Sequence, residues 1–160
     1  MFSHPAHLIA LGFGSGLSPM APGTVGTLWA WAAFVIADRF LSDAAWAGVI
    51  ALSLPLGWWA CTVTARHMGI SDPGAIVWDE IIAMWLIFFI LGPTSFTGQL
   101  VAFVVFRFFD AVKPGPVAWA DGLFKGFGWR GGWGIVFDDL VAAFCTLFVI
   151  ALWRSFGWLM

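Results

Sequence analysis

The sequence predicts an all-α integral membrane protein, a compact bundle of about five transmembrane helices with an N-terminal interfacial or re-entrant segment. Three observations carry this expectation. Of the 160 residues, 61% are hydrophobic and only 10% are charged, whereas a water-soluble domain carries about a quarter charged residues. The mean hydropathy is +0.93. Apolar stretches alternate with short polar turns, and most of the basic charge falls in the turns at one end of the stretches. Residues 1–160 read as a single membrane domain, with 1–26 as the glycine-rich segment and 27–160 as the bundle. The bilayer is therefore the expected surroundings, and a net charge of -2 leaves no basic surface for nucleic acid. Twelve Trp and no Tyr supply interfacial anchoring. Cys61 and Cys145 lie far apart in apolar segments and are expected to be small core residues rather than a disulfide or zinc site.

Taken in order, Phe2 to Leu11 is apolar but too short to span, and it lacks the basic flank of a cleavable signal peptide. The chain then turns glycine-rich from Gly12 to Gly26. Gly14, Gly16 and Gly23 would let backbone amides approach an anion, and Ser15, Ser18 and Thr24 offer hydroxyls. No Gly-Lys-Ser/Thr follows, so this is not a Walker loop. Thr27–Phe40 and Ala44–Ala65 read as a helical hairpin, with Asp38 and Arg39 near its tip expected to pair or snorkel. A polar stretch, Arg66–Trp78, leads into an apolar helix that begins with Asp79 and Glu80 and runs to Leu91. Gln99–Val112 is the next span. At its end Arg107, Asp110 and Lys113 recur at three-residue spacing and so share a helix face, before Pro114 and Pro116 stop the helix. Val117–Trp133 reads as a loop with turn-forming Gly131-Gly132. The last helix is expected from Gly134 to about Trp153, with Asp138 and Asp139 in its first turns.

Loop charge sets an orientation. Arg66, Arg107, Lys113, Lys125 and Arg130 stand against Arg39 and Arg154 on the other side, so the loops 66–78 and 113–133 and the N-terminal segment are expected in the cytoplasm. With that topology Asp79, Glu80, Arg107, Asp110, Lys113, Asp138 and Asp139 converge at one end of three helices. A carboxylate drawn into hydrocarbon costs roughly 2.5–3.5 kcal/mol on insertion scales. Salt-bridging alone would leave an excess of negative charge, because the acids outnumber the bases. Two acidic pairs with interleaved bases suit a divalent metal and a phosphate: hard oxygen ligands for Mg²⁺, cations for phosphoryl oxygens. The expected ligands are Asp79, Glu80, Asp138 and Asp139.

Four motifs together resemble a known family. They are Gly12-Phe13-Gly14-Ser15-Gly16-Leu17-Ser18-Pro19 with Pro22-Gly23-Thr24; Ile76-Val77-Trp78-Asp79-Glu80; Phe106-Arg107-xx-Asp110-xx-Lys113-Pro114-x-Pro116; and Gly132-xx-Ile135-xx-Asp138-Asp139. In this order, over about residues 7 to 143, the chain resembles phosphatidylglycerophosphatase A. The charged motif positions carry no departure, while the match around Lys125 and Arg130 is loose. The resemblance implies a bacterial inner-membrane, multi-pass, Mg²⁺-dependent phosphatase facing the cytoplasm. Such an enzyme hydrolyses the terminal phosphomonoester of phosphatidylglycerophosphate to give phosphatidylglycerol. It implies catalytic roles for Asp79, Glu80, Asp110, Asp138 and Asp139, and phosphate binding by Arg107, Lys113, Thr24, Ser15 and His7.

The residues themselves exclude other phosphatase chemistries. There is no Asp-x-Asp, Cys61 and Arg66 have the wrong spacing for a Cys-x5-Arg loop, and Arg66-His67-Met68 is not Arg-His-Gly. Metal-assisted attack by water remains. His4, His7 and His67 are the possible histidine participants, His7 foremost, against an interfacial hydrogen-bonding role. Two rivals stand beside this reading. Asp121-Gly122 followed by Gly134-xxx-Asp138 echoes the CDP-alcohol phosphotransferase signature, but Ala118, Lys125 and Ala142 break it. A small divalent-cation transporter would also place carboxylates in a membrane, although midplane acids and repeated halves are missing.

Overall fold

A computed structural model describes residues 4–155, and among them every regular element is helical. In order they are α1 (Pro5–Ala10), a 3-10 segment (Gly12–Leu17), α2 (Pro22–Ala37), α3 (Asp43–Met68), α4 (Trp78–Leu91), α5 (Phe96–Val112), α6 (Pro116–Leu123) and α7 (Gly128–Ser155). Two of these, α3 and α7, are long and apolar enough to cross a membrane. Large apolar side chains such as Leu52, Phe96, Phe108, Phe144 and Phe148 stand exposed on the outside. That is the surface of a chain whose surroundings are apolar.

Local signals explain the boundaries. The Ser42 hydroxyl accepts from the Ala45 amide and caps α3, and the Ser95 hydroxyl does the same for Gly98 and α5. Gly69, at φ +68°, ends α3 in the left-handed region, where a glycine carries no Cβ penalty. Proline opens α1, α2 and α6, where its missing N–H has no partner to lose.

Helix α4 is the axis of the molecule. It is buried along nearly its whole length, with α2, α3, α5 and α7 packed around it. Indoles fix these neighbours: Trp85 donates to the Ala30 carbonyl of α2 at 3.0 Å, and Trp78 donates to the Ser53 carbonyl of α3 at 3.3 Å. Just before α4, Val77 is fully buried, and its amide donates to the carbonyl of Ala10 at the end of α1. Gly12, Gly16 and Gly26 all press against the Val77 side chain, where an added Cβ would collide. The N-terminal segment is thus bolted to the start of the central helix.

The structure corrects three expectations. Helix α2 begins at Pro22 rather than Thr27, so Gly23, Thr24 and Gly26 belong to its first turns instead of a loop. Helix α7 begins at Gly128 rather than Gly134, which puts Asp138 and Asp139 in its third turn, and α6 occupies part of the expected loop. The physical reason is that Gly131, Gly132 and Gly134 serve contact, not turning. A Cβ on Gly132 would strike Thr62 of α3, and on Gly134 the Phe124 carbonyl. At the hairpin tip, Asp38 accepts from the Trp46 indole at 3.1 Å, and of the two expected arrangements of Asp38 and Arg39 the exposed Arg39 leaves snorkelling rather than pairing. Cys61 is buried in the core as expected, whereas Cys145 is only partly buried.

Candidate functional site

Asp79 and Glu80 stand in the first turn of α4 and Asp139 on the facing side of α7, with one carboxylate oxygen of each lying within 4.8 Å of the others. All three residues are 9% exposed or less. Asp79 Oδ1, Glu80 Oε2 and Asp139 Oδ2 are buried with no hydrogen-bond partner. Buried anionic oxygens without compensation are costly, so three of them at one point call for a cation. The donor set is all hard oxygen, which fits Mg²⁺.

The cations of the cluster come from the end of α5. The Arg107 guanidinium pairs with Asp110 one turn on and lies 3.5 Å from both Glu80 Oε1 and Thr27 Oγ1. Gly23, in the first turn of α2, packs so tightly here that a Cβ would collide with Glu80 and sit 3.0 Å from the guanidinium. Lys113 closes α5 in the left-handed region, φ +49°. Its Nζ reaches Asp121 Oδ1 of α6 at 2.7 Å and also Asp138 Oδ2, while Lys125 holds the other Asp121 oxygen at 2.6 Å.

Two groups outside the apolar helices respond to this network. Partial burial pulls the Lys113 ammonium down, but its hydrogen bonds to Asp121 and Asp138 outweigh this and hold it well above the usual lysine range. Burial pushes Asp121 up, yet its bonds from Lys113 and Lys125 prevail and its carboxyl lies below the usual range.

The expected four-carboxylate set is therefore divided. Successive residues on a helix diverge by about 100°, so Asp139 faces Asp79 and Glu80 while Asp138 turns to Lys113. Asp138 also accepts the Asp139 amide at 3.1 Å. Asp110 orients Arg107. Thr24 is half-buried beside Gly23. The Ser15 hydroxyl donates to the Gly12 carbonyl at 2.8 Å and closes the 3-10 turn. The amides of Gly14 and Gly16 both donate to the Leu11 carbonyl, which removes them as anion donors. His7 Nε2 lies 2.9 Å from His67 Nδ1, with the His4 ring tilted against His7 and edge-on to His67, where α1 meets α3. Sequence reasoning missed Thr27 and Asp121 as members of the cluster. Thr27 lies one turn after Gly23 and donates to its carbonyl; that spacing was the signal. Asp121 entered the sequence reading only through the broken phosphotransferase echo, and its i,i+4 spacing to Lys125 was the signal for a charged cluster.

Fold and site together define a class: an all-helical, strongly apolar protein with a carboxylate cluster and paired cations gathered at one end. More narrowly, the chain belongs to the phosphatidylglycerophosphatase A family, whose model matches residues 8–154. It is 42% identical over 140 residues to phosphatidylglycerophosphatase A of Escherichia coli K12, covering 88% of this chain and 78% of that one. It is 37% identical over 147 residues to phosphatidylglycerophosphatase A of Haemophilus influenzae, covering 92% and 87%. A putative phosphatidylinositol-3-phosphatase of Bacteroides thetaiotaomicron is 34% identical over 154 residues, covering 92% of each chain. No solved structure matches.

Proposed function

We propose that this chain is a Mg²⁺-dependent membrane phosphatase that converts phosphatidylglycerophosphate to phosphatidylglycerol and inorganic phosphate at the cytoplasmic face of a bacterial inner membrane. The observation that carries the reading is the trio of unpartnered buried oxygens of Asp79, Glu80 and Asp139 beside Arg107, in a chain of this family. Five helices, α2 to α5 and α7, serve as the membrane crossings in this reading. The cluster then lies at the basic-loop end, where the positive-inside rule puts the cytoplasm.

Asp79, Glu80 and Asp139 would hold the metal, with Asp138 behind them, oriented by Lys113. Bound there, Mg²⁺ supplies charge neutralisation for the phosphoryl oxygens and lowers the pKa of a coordinated water. Arg107, held in place by Asp110, offers its planar fork to two phosphoryl oxygens. A cluster carboxylate takes the proton of the attacking water as the new phosphorus–oxygen bond forms and the one to glycerol breaks, and that proton returns to the departing glycerol oxygen. Family membership gives no support to the phosphotransferase or the transporter.

The test is release of inorganic phosphate from phosphatidylglycerophosphate by purified protein, with Mg²⁺ and with a chelator. Metal-dependent release is expected, and its absence in both conditions would sink the reading. The Bacteroides relative motivates a parallel assay with phosphatidylinositol 3-phosphate, a second lipid phosphomonoester. Faster turnover of that lipid would reassign the headgroup while keeping the chemistry.

A further inference from the structure

A groove of about 530 Å³ runs between α5 and α7 immediately beyond the charged cluster. Its upper wall is Phe109 and Pro116, which flank Asp110 and Lys113 in the chain, and its floor is Val141, Cys145 and Val149. Asp138, Val141, Cys145 and Val149 are spaced by three, four and four residues, so the floor continues the face of α7 that carries Asp138. Phe144 and Phe148 form the outer rim and stand 57% and 65% exposed.

The polar end and the length identify the occupant. At 1.5 Å per residue the floor from Val141 to Val149 covers about 12 Å, and the same face reaches Asp138 after about 16 Å, close to half of a hydrocarbon core of about 30 Å. The groove thus lies within one leaflet, is lined by apolar side chains, and ends one helical turn short of Asp138. We propose that it is the acyl-chain site of the lipid substrate, and that the lipid enters sideways between α5 and α7 with one chain along Val141, Cys145 and Val149. The proposal rests on the lipid-phosphatase reading above. It adds a doorway and a second recognition element, separate from the phosphate-binding residues.

Replacing Cys145→Trp fills the groove without touching the charged cluster. The expected result is a rise of about tenfold or more in KM for diacyl phosphatidylglycerophosphate, because several buried methylenes lose their place. Hydrolysis of its deacylated, water-soluble headgroup stays as in wild type. Ala151→Trp, in the neighbouring hollow nearer Arg154, leaves both substrates unaffected. A Cys145→Trp enzyme with unchanged KM for the lipid, or with equal losses on both substrates, would overturn the proposal. Wild-type protein that cleaves neither substrate would instead refute the phosphatase reading itself. A second measurement uses the native fold: labelling of Cys145 by an apolar maleimide in detergent micelles. Protection by the diacyl lipid but not by the deacylated headgroup is expected. Protection by both, by neither, or only at raised protein concentration, as a contact with a second copy would give, counts against the acyl-chain site.

Discussion

At the residue scale, the unpartnered oxygens of Asp79, Glu80 and Asp139 predict opposite effects on activity and stability. Asp79→Asn, Glu80→Gln or Asp139→Asn removes ligand charge, so each should lose most phosphate release. In metal-free buffer each variant should melt a few degrees higher than wild type, because one uncompensated buried charge is gone. Thermal melts with and without Mg²⁺ check both halves, and the variants should also lose the metal-induced gain. Arg107→Lys should fall about 10²-fold in kcat, nearly as far as Arg107→Ala, since a point charge cannot reproduce the fork shared among Asp110, Glu80 and Thr27. A Lys variant near wild-type rate would show that Arg107 only props the helices. For Asp121, the lowered carboxyl pKa means its stabilisation is present above the unfolded value near 3.9 and is lost as pH falls through the folded value. The melting-temperature gap between wild type and Asp121→Asn should therefore be flat from about pH 5 to 8 and close in stronger acid. The convergence of the acids and of Arg107, Asp110 and Lys113 at one end was legible in the sequence, because the i,i+3 spacing of Arg107 and Asp110 and the ends of the apolar runs mark it. The division of labour between Asp138 and Asp139 was not, because it depends on which neighbour each of two adjacent side chains meets.

At the element scale, helix existence was readable and helix starts were not. Apolar runs marked α2 to α5 and α7, but glycines at both α2 and α7 were read as loop formers. What the sequence hides is whether a glycine bends the chain or admits a neighbour, and here Gly132 admits Thr62. Gly132→Val should therefore cost about 1–3 kcal/mol through overpacking, seen as a lower melting temperature. Gly122→Ala, on α6 with open space around its added Cβ, should be close to neutral. Equal effects at the two glycines would show that backbone flexibility, not contact, matters at Gly132. The short helix α6 was illegible for another reason: its eight residues are anchored by Lys113 and Lys125 through Asp121 and carry too few turns for a periodic signal.

At the scale of the whole molecule, the charged cluster, the basic loops and the mouth of the groove share one end, so sidedness and function are a single question. Ser71→Cys and Gly126→Cys should resist a membrane-impermeant thiol reagent in intact cells while Ser95→Cys reacts, each in a background with Cys61 and Cys145 replaced by Ala. The reverse pattern would put the cluster outside. One further consequence comes from Val77, which meets Gly12, Gly16 and Gly26 at once. Three glycines within fifteen residues of one another meet a single isopropyl group, but only at Gly26 would an added methyl strike Val77 alone; at Gly16 it would strike the Ala75 carbonyl, and at Gly12 Ser15 and Ile81 as well. Drift by a paired step, with a smaller residue at position 77 coming first, is therefore open at Gly26 alone, while Gly12 and Gly16 are held by more than one neighbour.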